Sequence, residues 1–284
     1  MEKGIFVGMS TIDILYRVEK APAPNSKVAA RDQAVLIGGP ATNAAVTFSH
    51  LGGAASLVTT VGRHPLAELV RRDLERFSIH LFDLNADFDE IPALSSIIVS
   101  ATGDRAIVST SATRAVTARL EPTLLDGASI LLVDGHFMDA CILWAEEARK
   151  RNIPVVMDGG SWKVQTEQLL NHVDVAICSA DFHPPGCETR AQTLEFLQSA
   201  GISKIAITDG ERPVEYSLDH DSGHVPVPSV TVVDTMGAGD IFHGAFCRFY
   251  SQERDFVRAL LKAVDVASKS VQHAGTRGWM LSRS

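Results

Sequence analysis

Six short apolar runs, "GIFVG", "ASLVTTV", "SILLVDG", "IPVVMDG", "DVAICS" and "KIAITDG", recur along the chain, each followed by residues with helical spacing. The runs are almost continuously apolar, as strands become when helices cover both of their faces. This alternation predicts βαβ units on a mostly parallel sheet, an α/β layered fold. Between the runs, Leu66, Leu69, Val70, Leu74 and Phe77 share one helical face, and Phe256, Leu260, Leu261, Val264, Ala267 and Val271 share another. Three strands end in Asp134-Gly135, Asp158-Gly159 and Asp209-Gly210. In open parallel sheets ligands bind beyond the carboxyl ends of the strands, so these tips should rim a site. Residues 14–36 and 91–110 break the alternation and read as β excursions, the second around a Thr102-Gly103-Asp104 turn. Hairpins that leave a sheet at its ligand edge suit a lid. No linker or repeat marks a second unit, and a single domain over residues 1–284 is expected.

Two glycine turns carry the candidate chemistry. In "VVDTMGAGDIFHGAF", the apolar positions Ile241, Phe242, Ala245, Phe246, Phe249 and Tyr250 describe a helix that begins near Asp240. Upstream, Ser229 to Thr235 alternates like a strand, which puts Gly237, Ala238 and Gly239 in a strand-to-helix turn. Bare amides at a helix start make an anion hole, and a carboxylate beside an anion site suits a proton acceptor for an attacking nucleophile. A glycine turn followed by an aspartate N-cap would look the same without any chemistry. The second turn lies in "LIGGPATNAAVTFSHLGG", where Gly38 and Gly39 precede a helix whose first turns hold Asn43. An amide offers hydroxyl groups both a donor and an acceptor, and Asp13, after the first strand, adds an acceptor-only carboxylate. That combination suits carbohydrate.

Composition narrows the class. The 284 residues are 45% hydrophobic and 21% charged, with a net charge of −8, which suits a soluble globular protein and argues against a nucleic-acid or anionic-membrane surface. Without a long apolar run or a signal-peptide core, a cytoplasmic location is expected. Cys141, Cys178, Cys187 and Cys247 show no zinc or CxxC spacing and read as mostly buried free thiols.

Asp13, Gly38-Gly39-Pro40-Ala41-Thr42-Asn43 and Asp234-Thr235-Met236-Gly237-Ala238-Gly239-Asp240, in this order and at this separation, resemble the ribokinase-like (PfkB-type) sugar kinases over almost the whole chain. The resemblance implies a ribokinase-like fold with a small β lid, ATP and Mg²⁺ as phosphate partners, and a homodimer formed through the lid. It implies Asp240 as general base, with Gly237, Ala238 and Gly239 as the anion hole. Asp13, Gly38, Gly39 and Asn43 become sugar contacts, and Thr208, Gly210, Thr235 and Gly275 join the glycine turn on the ATP side. Asp234, with the loop around Gly275, resembles a monovalent-cation site, so K⁺ is a candidate activator.

The chain also departs from the family pattern. A magnesium-organising glutamate is missing near Ser179-Ala180-Asp181-Phe182, where Asp181 is the substitute or a solvated loop aspartate. The glycine turn after "KIAIT" reads Gly210-Glu211-Arg212-Pro213, and proline removes a donor. Lys27 and Arg31, expected on one strand face, and Arg105 are candidates for reading an anionic substrate, or edge charges that block aggregation. The reading is an ATP-dependent kinase acting on a hydroxymethyl group of a sugar. A nucleoside or vitamin-precursor kinase of the same fold stays open, as does a catalytically weak sugar-binding protein.

Overall fold

The structure is a computed structural model that describes residues 1–110, 116–219 and 221–281; residues 111–115, 220 and 282–284 of the expected domain fall outside this range. In chain order its first elements are β1 (Lys3–Val7), β2 (Thr11–Arg17), β3 (Asp32–Gly38), α1 (Pro40–His50), β4 (Ala54–Thr59), α2 (Ala67–Arg76), β5 (His80–Asp83), β6 (Leu94–Val99) and β7 (Arg105–Ser109). They continue with β8 (Ile130–Val133), α3 (Met138–Lys150), β9 (Val155–Gly159), α4 (Thr166–Leu170), β10 (Val175–Ser179) and α5 (Arg190–Ser199). The last are β11 (Lys204–Asp209), β12 (Arg212–Leu218), β13 (Asp221–Val225), α6 (Ala238–Glu253) and α7 (Phe256–Ser270).

All six apolar runs are strands, and they stand side by side. They lie in a nine-stranded sheet of order β13-β12-β11-β10-β9-β8-β1-β4-β5, parallel from β11 to β5, with β12 and β13 antiparallel at one edge. Alternate side chains of each central strand enter opposite cores. Phe6, Ile130 and Leu132 pack with α1, α6 and α7 through Phe48, Phe246 and Leu260, whereas Ile5, Val7, Leu131 and Val133 pack with α3 through Trp144. Both faces are therefore dry, which explains the continuous apolar runs. Leu69 and Leu261, assigned to helix faces by their spacing, turn to solvent instead.

The chain leaves β1 toward β4 and β5 on one side and later toward β9, β10 and β11 on the other, so the direction of winding reverses between β1 and β8. Such a switch point opens a crevice at the carboxyl ends of the strands. A second, four-stranded sheet of order β3-β2-β6-β7 grows from that end, since β2 follows β1 after a short turn and β3 leads into α1. Both β excursions belong to it.

Three expectations are corrected. Lys27 and Arg31 lie in a loop over residues 18–31 and not on one strand face, because Pro22, Pro24 and a turn at Ala23–Ser26 with Asn25 at φ 58° interrupt pairing. Ser229 to Thr235 forms no strand: Val233 and Asp234 donate their N–H groups to the Val271 carbonyl, at 2.8 and 3.1 Å, in place of a strand partner. Pro213 lies inside β12, at the irregularity in pairing with β11 between Ile207 and Asp209, where its missing N–H is tolerated.

Candidate active site

Helix α6 begins at Ala238, two residues before Asp240, near which its start was expected, with Gly237 before it at φ 66°. A Cβ on Gly237 would stand 2.6 Å from Thr276 Cγ2 and 3.3 Å from Asn43 Nδ2, so both backbone angle and space demand glycine. The N–H groups of the first helical turn have no intrahelical acceptor, and nothing lies within 4 Å of the Cβ direction of Gly239. An anion can therefore approach this end of the helix closely.

Asp240 sits in that first turn. Its Oδ2 accepts a 2.7 Å hydrogen bond from Asn43 Nδ2, which joins the two glycine motifs across 197 residues. Burial, and then the nearby carboxylate of Asp158, push its carboxyl up to about 7, against the opposing pull of the Asn43 hydrogen bond and His243. The residue nevertheless keeps partial exposure, so a substrate can reach it. Asp158 is itself buried and held above the usual carboxylate range by desolvation, with His243 Nδ1 3.5 Å from its Oδ2. His243 also places Nδ1 2.7 Å from the Gly239 carbonyl and Nε2 3.2 Å from that of Ile177. It thus ties the start of α6 to β10, a packing and hydrogen-bonding role.

On the small sheet, Asp13 accepts from Thr11 Oγ1 at 3.0 Å and faces Ser95 in the pairing of β2 with β6. Burial raises its carboxyl, while Thr11, Ser95 and Arg277 oppose the rise. A Cβ at Gly38 would fall 2.1 Å from Asp13 Oδ2, and one at Gly39 would fall 2.3 Å from the Met9 carbonyl. The double glycine thus lets the small sheet close against the turn after β1. Asn43 is less free than expected, because its Oδ1 accepts from Arg277 Nη1 at 2.8 Å while its Nδ2 serves Asp240. Both ends of the amide are engaged within the protein. Arg277 was missed in the sequence, although a charge two residues after the Gly275 turn, in an otherwise weakly charged stretch, was a usable signal.

Among the ATP-side candidates, Thr208 ends β11 with its hydroxyl donating to the Cys178 carbonyl at 3.3 Å, and Gly210 makes the following turn at φ 56°. Thr235 Oγ1 accepts from Arg105 Nη2 at 3.0 Å, and Gly275 N donates to Asp234 Oδ2 at 3.0 Å. Asp234 Oδ1 accepts from Met236 N at 3.0 Å and Arg105 Nη2 at 3.1 Å, with Arg17 Nη2 3.8 Å from Oδ2. Two amides and two guanidinium groups surround this carboxylate, which does not fit a monovalent cation: positive charge is already supplied. Arg105 is accordingly an intramolecular partner here and not a free reader of substrate anions. A cavity of about 240 Å³ lies beside this pair, lined by Leu15, Arg17, Val99, Gly103, Arg105 and Asp234, and its lining excludes Asp13, Asn43 and Asp240.

Lys27 is exposed on the 18–31 loop, and its ammonium makes no hydrogen bond or ion pair among the described residues. Asp181 is exposed just beyond β10 with a carboxylate likewise uncommitted. No group of three His, Cys, Asp or Glu among the described residues stands together to cage a metal. Mg²⁺ carried by phosphates needs no such cage, since one or two carboxylates and water suffice, and a free carboxylate at a strand tip fits that demand. Cys141, Cys178 and Cys247 are buried free thiols, whereas Cys187 is partly exposed. No helix among the described residues is long and apolar enough to cross a membrane.

The fold is that of the carbohydrate kinases. The model of the pfkB family carbohydrate kinases matches residues 1–282, and the chain belongs to that family. It is 25% identical over 299 residues to a deoxyribokinase of Salmonella typhi, covering 95% of this chain and 93% of that protein. A ribokinase of Bacillus subtilis is 23% identical, with 98% and 96% covered. The structure of Arabidopsis thaliana ribokinase complexed with ribose and ATP superimposes with a TM-score of 0.83 at 21% identity, covering 96% of this chain and 93% of that one.

Two outcomes follow from the electrostatics. A carboxyl whose folded pKa is raised binds its proton more tightly in the folded state, so it lowers stability as pH rises from the ordinary aspartate value of 3.8 to about 7. Asp240→Asn cannot ionise. It should raise the melting temperature at pH 8 by at least roughly 2 °C and lose most of that advantage at pH 4, as read by calorimetry. Because guanidinium already neutralises Asp234, exchanging potassium for tetramethylammonium at constant ionic strength should leave the phosphorylation rate unchanged. A several-fold potassium activation would show that the ion has a site of its own.

Proposed function

We propose that this chain transfers the γ-phosphoryl group of ATP to a hydroxymethyl group of a sugar, with Asp240 as general base. The observation that carries the reading is the Asn43-held carboxylate of Asp240 in the first turn of α6, where the helix start at Gly239 is open to approach. In the reaction a substrate hydroxyl oxygen bonds to phosphorus, the bond to the departing ADP oxygen breaks, and the hydroxyl proton passes to Asp240. ATP with Mg²⁺ supplies the phosphoryl group and part of the neutralising charge. The amides of Ala238 and Gly239 stabilise negative charge on the phosphoryl oxygens at the dipole end of α6. Asp13 receives hydrogen bonds from sugar hydroxyls, and Gly38 and Gly39 make the room that brings its carboxylate and the turn after β1 together. Thr208, Gly210, Thr235 and Gly275 line the nucleotide side, and Asp181 would hold Mg²⁺ when the ion arrives with ATP.

The two relatives named deoxyribokinase and ribokinase favour a pentose-sized acceptor as the first compound to assay. The small sheet serves as lid, with Arg105 and Arg17 closing on Asp234. On the face of the small sheet opposite Arg105, the apolar side chains Val35 and Val108, aligned through Ile14 and Ser96, are 56% and 75% exposed, which supports a homodimer formed through the lid.

A base held near neutrality sets the pH dependence: kcat/KM should fall as pH drops through about 7, where Asp240 becomes protonated. Asp240→Asn should lower kcat by at least roughly 100-fold with KM for ATP little changed, because the amides are untouched. If a wild-type protein that binds sugar and MgATP transfers no phosphate across a sugar and nucleoside screen, the kinase reading fails and a binding protein replaces it. For the lid, light scattering should give a dimer for the wild type and a monomer for Val35→Glu/Val108→Glu. A monomeric wild type at micromolar concentration removes the lid dimer.

A further inference from the structure

We infer that Arg277 is a positioning residue that sets which end of the Asn43 amide faces Asp240, and thereby which oxygen of Asp240 takes the proton. A guanidinium has donors and no acceptor. Arg277 Nη1 stands 2.8 Å from Asn43 Oδ1, and turning the amide over would set two donors against each other. The NH₂ end must therefore point the other way, where it donates to Asp240 Oδ2 at 2.7 Å. With that oxygen committed, Oδ1 of Asp240 is the one left to accept a proton from a substrate hydroxyl. Without Arg277 both amide orientations would be open to Asn43, and one of them would set its oxygen against the carboxylate.

The guanidinium is itself fixed from three other directions. Nη2 donates to Asp73 Oδ2 on α2 at 3.1 Å and to the Ile37 carbonyl at 3.3 Å, and Nη1 also reaches Thr276 Oγ1 at 3.1 Å. Its side chain is 15% exposed, and Nε is buried without a partner. A buried charge with an unsatisfied donor lowers stability compared with a well-packed apolar side chain, so stability alone does not account for arginine at this position. The constraint it places on Asn43 does. Arg277 thus ties α1, α2, β3 and the loop after α7 to the base on α6, and makes the orientation of one amide a property of the whole fold.

The inference rests on Asp240 acting as base, and its test separates the two. Arg277→Met should lower kcat by roughly 10- to 100-fold through misplacement of the base, with KM for ATP nearly constant. It should also move the acid limb of kcat/KM to higher pH, because a positive charge and a directed donor are lost beside Asp240. The other groups facing that carboxylate, Asp158, Asp134 and His243, are unchanged in the variant. Arg277→Lys keeps the charge but cannot bridge Asn43 and Asp73 together; it should lose kcat while keeping the limb, and it replaces the methionine variant if that one fails to fold. The deciding measurement is a double-mutant cycle. In an Asn43→Ala background, where no amide remains to orient, either substitution should cost little further kcat. Full additivity with Asn43→Ala, or an unchanged kcat in both single variants, overturns the role of Arg277. Absence of phosphoryl transfer in the wild type would instead overturn the kinase reading.

Discussion

A single buried carboxylate holds the framework of the site. Asp134, 2% exposed at the tip of β8, accepts hydrogen bonds from Met9 N at 2.8 Å, Ala41 N at 3.2 Å and His136 N at 2.9 Å. These amides belong to the turn after β1, the first turn of α1 and the turn after β8, the three segments that meet at the switch point. Gly8 makes room for it, since a Cβ there would overlap the carboxylate at 2.1 Å. A buried carboxylate satisfied by amides fixes geometry far better than apolar contacts, because hydrogen bonds are directional and leaving the charge unpaired is costly. With the start of α1 anchored, Asn43 falls opposite Asp240, and every later contact in the site depends on that placement.

The same crowding makes a base. Burial raises the Asp240 carboxyl most, and Asp158 and then Asp134 lie close enough to raise it further. An isolated surface aspartate would be ionised at neutral pH but too weak to take a proton from an alcohol. Packing three acids under a helix start raises basicity at the expense of stability, the usual exchange at a functional site. His243 lies between Asp158 and the first turn of α6 and offsets part of the repulsion. Replacing any member of this group by a neutral residue therefore changes both pH profile and stability, in linked directions.

What the sequence made legible was local. The six apolar runs, the start of α6, both glycine turns and the two β excursions follow from spacing within windows of about 10 residues, where periodicity and turn chemistry act. The misses share one property, dependence on residues far away in the chain. Ser229 to Thr235 has the pattern of a strand, but the nearby Val271 carbonyl takes two of its N–H groups. Asn43 reads as a sugar ligand until Arg277, 234 residues later, is seen to hold its oxygen. Arg105 reads as an edge charge or an anion reader until Asp234, 129 residues on, meets it.

The contact of Arg105 with Asp234 also links the two sheets electrostatically. Asp234 is 8% exposed, anchored by Gly275 N and Met236 N on the body and by Arg105 from β7. If the small sheet lifted as a lid, the guanidinium would leave a mostly covered carboxylate, and its negative charge would then bear on the turn that leads to Gly237. An uncompensated charge at that point opposes an incoming anion and loosens the loop whose amides receive it. With the sheet down, the charge is cancelled and the loop is held from both sides. In the proposed lid role, closure and readiness of the anion hole would be coupled through this one ion pair, a contribution that an exchangeable ion bound at Asp234 would make irrespective of where the small sheet stands.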